Sequence, residues 1–92
     1  MAKSKTNQQT LLAFPCRFPI KVMGKKDAGL EDFVKKVLHN HVKDISTLEY
    51  KTRDSSDGNY VSITALFIAD SKAQLDKIYH AISHNKNVKM VL

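Results

Sequence analysis

The 92 residues carry 15 Lys and Arg against 9 Asp and Glu, a formal net charge of +6, and 42% of them are hydrophobic. That is one globular domain, since halving it would leave pieces near the ~40 residues below which a core needs disulfides or metal. The longest apolar run, Ala65 to Ala69, falls far short of the ~18 residues of a membrane span.

The single Cys16 excludes an internal disulfide and a multi-cysteine zinc site, and it fits a reducing cytoplasm. Leu11 to Phe14 is too short an apolar stretch for a signal-peptide core. The charge is unevenly spread: residues 1–26 hold Lys3, Lys5, Arg17, Lys21, Lys25 and Lys26 without an acid, and the remaining residues balance to zero. A basic segment, rather than a basic domain, is the expectation.

In chain order, residues 1–13 begin with the polar, aperiodic MAKSKTNQQT and read as a flexible tail, with a single domain over 14–92. Cys16, Phe18, Ile20 and Val22 alternate with Arg17, Pro19, Lys21 and Met23, the pattern of a strand with one buried face. Pro19 has no N–H to donate, so the regular ladder is expected to start at or after it. Gly24 is expected to end the strand and to open the loop GKKDAG. Leu30, Phe33, Val34, Val37, Leu38 and His41 then form the apolar stripe of a helix, with Glu31 and Asp32 in its first turn and His41 at its end, where they complement the helix dipole.

Leu48, Tyr50 and Thr52 alternate with Glu49, Lys51 and Arg53 in a second strand. Ser55 to Asn59 supplies hairpin chemistry, with Gly58 or Asn59 able to take positive φ. The third strand, Tyr60 to Ala69, puts Val61, Ile63, Ala65, Phe67 and Ala69 on one face. Ser71 with Gln74 is a capping-box pattern before a second helix with Leu75, Ile78, Tyr79 and Ile82 on its stripe. In the last strand Val88, Met90 and Leu92 alternate with Lys89 and Val91.

This order predicts an α+β fold, the ferredoxin-like βαββαβ sandwich, in which a four-stranded antiparallel sheet carries two helices on one face. Strand parity leaves Lys21, Met23, Lys51, Arg53, Ser62, Thr64, Leu66, Ile68, Lys89 and Val91 on the other face. Met23, Leu66, Ile68 and Val91 would form an apolar patch there, so a homodimer or another protein contact through the sheet is expected.

The chemistry this fold can host narrows quickly. Sheet-face RNA recognition needs stacking aromatics and a K/R-G-F/Y-G/A-F-V-x-F/Y run, whereas Asp57 to Thr64 matches at Gly58 alone; nucleic acid is not the expected partner. The loop after the first strand has no Cys for a soft metal and no Arg for a phosphate cradle. His80 and His84 have a chelating spacing but lie opposite the apolar stripe, and read as solvated surface residues. Cys16 has no activating base near it in sequence and reads as a small packing residue. No Ser, His and acid set stands out, so no enzyme, catalytic residue, metal or cofactor is expected. Two loops remain as candidate ligand sites. Gly24 to Gly29, with Lys25 and Lys26, meets a helix N-terminus able to receive a carboxylate or phosphate, or serves as a turn. Ser55 to Asn59 is rich in hydrogen-bonding side chains, which any hairpin also uses.

Three stretches in this order resemble the YbeD-like family of small bacterial proteins of unknown function. They are Phe14-Pro15 with Phe18 and Lys21-Val22-Met23-Gly24; Ser55 to Ser62; and Gln74-Leu75 with Tyr79 and Val88 to Leu92. The resemblance runs from about Phe14 to the C-terminus. It implies a ferredoxin-like fold similar to the ACT-type regulatory domain of phosphoglycerate dehydrogenase and implies no established catalytic activity. A link of some members to lipoate metabolism rests on gene neighbourhood. It marks Lys21, Gly24, Ser55, Ser56, Gly58, Asn59, Tyr60 and Ser62 as ligand-site candidates beside Lys25, Lys26 and Gly29; Asp57 stands where such proteins often have Lys. The functional expectation is a cytoplasmic, non-catalytic ACT-like regulatory or binding module that dimerises through its sheet and binds a protein or small metabolite, with no membrane partner. The alternative is an electrostatic binder of nucleic acid or an acidic protein through the basic N-terminal segment.

Overall fold

A computed structural model describes residues 13–92; the expected polar tail lies outside them apart from Ala13. The elements are β1 (Cys16–Lys25), α1 (Leu30–His41), a 3-10 turn (Ile45–Thr47), β2 (Glu49–Asp54), β3 (Tyr60–Ala69), α2 (Lys72–Ser83) and β4 (Val88–Val91). The strands form one antiparallel sheet in the order β2-β3-β1-β4. Both helices cover the same face, so the expected ferredoxin-like sandwich is the fold.

Alternation in β1 and β3 sets the two layers. The strands pair from Cys16 opposite Ala69 to Lys25 opposite Tyr60. Ile20, Val22, Ile63, Ala65 and Phe67 have no exposed surface, and neither do Val34 and Leu38 of α1 or Ile78 and Ile82 of α2. Phe18 meets Phe67 edge-on with ring centroids 6.1 Å apart. Each such large side chain contributes roughly 1.5–3 kcal/mol by leaving water. Between the helices, Gln74 does more than complete a cap. Its N–H donates to Ser71 Oγ at 3.1 Å, its Oε1 accepts the Asp70 N–H at 2.6 Å, and its Nε2 donates to the His41 carbonyl at 2.8 Å. The start of α2 is thereby tied to the end of α1.

Three sequence expectations change. First, Pro19 does not delay the ladder. Lys21 N–H donates to Leu92 O at 3.0 Å and Lys25 N–H to Asn87 O at 2.9 Å, so the odd-numbered residues of β1 aim their backbone groups away from β3. The missing donor of Pro19 therefore falls on that far side, outside the residues β4 pairs with, and pairing with β3 opposite Leu66 is unaffected.

Second, Gly24 does not end the strand. It is a buried strand residue between Val61 and Val88, and a Cβ there would overlap the Asn87 carbonyl oxygen and lie 2.7 Å from Leu30 Cδ2. The glycine is needed for this close approach; the left-handed backbone comes later, at Asp27 (φ 63°) and Gly29 (φ 70°).

Third, Val91 does not face outward. Met23 pairs with Met90 but Gly24 pairs with Val88, which leaves Lys89 unpaired in a bulge. One extra residue inverts the alternation. Val88 and Val91 both pack against the core, while Met90 and Leu92 are 49% and 60% exposed.

Two outcomes follow from this packing. Gly24→Ala is expected to lower the urea-unfolding free energy by about 1–3 kcal/mol, because neither the Asn87 backbone nor Leu30 can retreat without disturbing β4 or α1. Tyr50 presents a hydroxyl that is buried without a hydrogen-bond partner among the described residues, and burial raises its pKa. Tyr50→Phe removes that unsatisfied group and is expected to leave stability unchanged or raise it by about 1 kcal/mol in the same assay.

Candidate functional site

The two candidate loops lie side by side. Lys26 N–H donates to Asn59 O at 3.0 Å, joining the β1–α1 loop to the β2–β3 hairpin. Lys26 Nζ also donates to Asp54 Oδ2 at 2.8 Å; that hydrogen bond, then the Asp54 charge, raises the Lys26 pKa. Gly24, Lys25, Lys26, Gly29, Gly58, Asn59 and Tyr60 thus cluster at one end of the sheet, with Ser55 and Ser56 in the adjoining turn.

Their chemistry differs from one side to the other. A shallow cavity of about 290 Å³ at the start of α1 is lined by Asp27, Glu31, Asp32 and Asp54 against Lys26. These carboxylates repel the anion that the helix N-terminus alone would attract, so the sequence expectation of a carboxylate or phosphate there is not supported by its surroundings. The hairpin uses its own polar groups. Ser55 Oγ donates to Asp57 Oδ1 at 2.6 Å and Asn59 N–H donates to the same oxygen at 3.0 Å, while Tyr60 N–H donates to Ser55 Oγ at 3.1 Å. With Gly58 at φ 77°, this is a self-satisfied turn. A second cavity of about 440 Å³ opens towards the uncovered face and is lined by Lys25, Lys26, Lys89, Asn59 and Tyr60, with Asp27 as its acid.

That cavity runs into the uncovered face. Cross-strand rows there read Lys25–Tyr60, then Arg53–Ser62–Met23–Met90, then Lys51–Thr64–Lys21, which continues to Leu92 through paired backbone hydrogen bonds. Beyond them come Glu49–Leu66–Pro19 and Ile68–Arg17. Met23, Leu66 and Ile68 are half-buried on this face, as expected; Met90 and Leu92 take the place assigned to Val91. Arg17 Nη2 reaches Glu49 Oε2 at 2.8 Å, so one end of the face is ion-paired. The other end carries Lys21, Lys25, Lys51 and Arg53, none of them in an ion pair with a described residue. Sequence reasoning marked Lys21 and Lys25 for the excess charge of residues 1–26. Lys51 and Arg53 belong to a stretch whose charges cancel in sum, and parity was the signal that places them beside the first two.

The remaining candidates stand apart. Cys16 is half-buried and packs against the core. His84 Nδ1 donates to the His80 carbonyl at 2.9 Å on the exposed side of α2. Among the described residues no group of three or more His, Cys, Asp or Glu is placed to hold a metal, and no helix is long and apolar enough to cross a membrane.

The element order and sheet define a small domain of the ferredoxin-like class. Among solved structures it is similar to protein HP0495 from H. pylori, with TM-score 0.66 and 20% identity over 88% of this chain and 85% of that one. It is also similar to the ACT domain of a GTP pyrophosphokinase from Chlorobium tepidum, with TM-score 0.61 and 15% identity over 83% of this chain and 84% of that one. At these identities the likeness concerns the fold. The chain belongs to the family described as "Protein of unknown function (DUF493)", which matches residues 9–92, and thus to the YbeD-like proteins. A UPF0250 protein of Neisseria meningitidis is 40% identical over 94% of this chain and 94% of its own length. One from Chromobacterium violaceum is 36% identical over 92% and 96%.

The turn makes a pH prediction. The Ser55 hydroxyl, then the Asn59 N–H, holds the Asp57 carboxyl below its ordinary pKa. A depressed folded value means that the turn's contribution is present above the ordinary carboxylate pKa and is lost as pH falls through the folded one. In an NMR titration, Ser55→Ala is expected to bring the Asp57 pKa back up towards the ordinary value.

Proposed function

We propose that this chain is a non-catalytic, ACT-like binding module of the cytoplasm that engages a protein partner through its uncovered sheet face. The observation that carries the reading is that face itself, where aliphatic groups at Met23, Leu66, Ile68, Met90 and Leu92 lie among cations and hydroxyls and no layer of the described residues covers them. Apolar groups grouped this way on a small domain mark an interaction site. The non-catalytic reading is supported by how the hydroxyls are engaged: Ser55 holds the hairpin and Ser71 caps α2.

Self-association through the face, the expectation from sequence, is disfavoured by charge. Two copies face to face with like ends together would bring Lys21, Lys51 and Arg53 against cations of the same face, so a different chain is the better fit. The cavity between Lys25, Lys89 and Tyr60 favours a second reading, a small acidic metabolite bound at the loop end.

A photo-crosslinking amino acid placed at Thr64, in the middle of the face, is expected to give protein adducts in growing cells, and one at Lys77 on the outer side of α2 is not. Equal adducts at both positions, or none at Thr64, overturn the reading. Absence at Thr64 together with thermal stabilisation by small dicarboxylates or phosphates favours the metabolite instead.

A further inference from the structure

We propose that the cationic end of the uncovered face docks an acidic amphipathic helix of its partner, an inference that rests on the binding reading above. Four cations, Lys21, Lys25, Lys51 and Arg53, share this end, with Asp27 at its loop edge beside Lys25, and Glu49 is held by Arg17 at the other end. Lys21 and Lys51 flank Thr64 in one row. At ~4.8 Å between strands their backbones are about 10 Å apart, and Arg53 lies about 7 Å along β2 from Lys51. No acid among the described residues pairs with these four cations, so this end of the face is complementary to an acidic surface.

The occupant's form follows from the sheet. An antiparallel sheet can leave one face in water, so what selects an occupant here is its charge and its aliphatic groups, and a helix presents both on adjacent stripes. Carboxylates four residues apart on a helix recur about every 6 Å, close to the ~7 Å between cationic rows. A neighbouring aliphatic stripe would meet Met23, Met90 and Leu66. Single-stranded nucleic acid fits less well, because it binds by stacking on aromatic side chains. Tyr60 stands at the border of the face, and the positions between the cations are Ser62, Thr64 and Met23. A second copy docked with like ends together is disfavoured by the same cations.

The test uses the full chain, ¹⁵N-labelled, with three probes: a synthetic helical peptide carrying one Glu stripe and one Leu stripe, its counterpart with Lys in place of Glu, and a short oligothymidylate. The Glu/Leu peptide is expected to shift the amides of Lys21, Met23, Lys51, Arg53 and Thr64. Its affinity is expected to fall about tenfold or more in the Lys21→Glu, Lys51→Glu double variant and to weaken with added salt. Lys36→Glu with Lys77→Glu, on the exposed sides of the helices, should change it less than about twofold. The amide spectrum of each variant verifies folding, and Lys21→Gln with Lys51→Gln should give an intermediate loss. No shift at those amides, equal binding of the Lys peptide, or tighter binding of the oligothymidylate overturns the proposal. Protein adducts at Thr64 in cells are read independently of these titrations, so failure of this inference with adducts retained is separable from failure of the binding reading.

Discussion

The burial of every second residue in the two central strands governs the rest of this structure. Ile20, Val22, Ile63, Ala65 and Phe67 are wholly removed from water, and the ten-residue pairing of β1 with β3 holds them in one layer beneath both helices. A strand cannot bury one set of side chains without presenting the other set on the opposite face. Lys21, Met23, Ser62, Thr64 and Leu66 are therefore displayed because Ile20, Val22, Ile63, Ala65 and Phe67 are hidden. Core and candidate surface are two results of one constraint. A register slip of one residue would exchange them at a cost the fold could not meet.

Local devices adjust this frame at the end that carries the loops. Gly24 lets the Asn87 carbonyl and Leu30 come within reach of the strand, and Asp27 and Gly29 then turn the chain into α1 through left-handed conformations. Beside Gly24 the bulge at Lys89 turns Val91 inward and brings Met90 and Leu92 to the uncovered face. The same end separates charge, with carboxylates gathered at the start of α1 and lysines gathered towards the sheet. A ligand approaching from the two sides meets opposite fields, although the loops are in contact.

How legible each part was depends on how local its cause is. The two helices, the three longer strands and the hairpin follow from hydrophobic period and turn chemistry, and each is present in the expected order, with β1 longer at both ends than expected. The misassignments at Pro19, Gly24 and Val91 share a different origin. Each depends on what lies across the sheet: which neighbour a missing N–H faces, how close a carbonyl comes, and whether a partner strand carries an extra residue. Those are non-local facts. For the candidate surface, alternation identified Lys21, Met23, Lys51, Arg53 and Leu66 correctly but could not show that Glu49 is taken by Arg17, which separates the neutral end from the cationic one.

The net charge of +6 illustrates the division. The order of the elements, the buried stripes of the helices and of the three longer strands and the basic character of residues 1–26 can be read from the chain alone, because these rest on spacing between near neighbours. Where that charge acts depends on how the strands pair. Arg17 and Lys26 are neutralised by Glu49 and Asp54, while Lys51 and Arg53, from a stretch that is neutral in sum, join Lys21 and Lys25 on the open sheet. The physical reason is that electrostatic energy depends on distance in space, and strand pairing sets those distances between residues far apart in the chain.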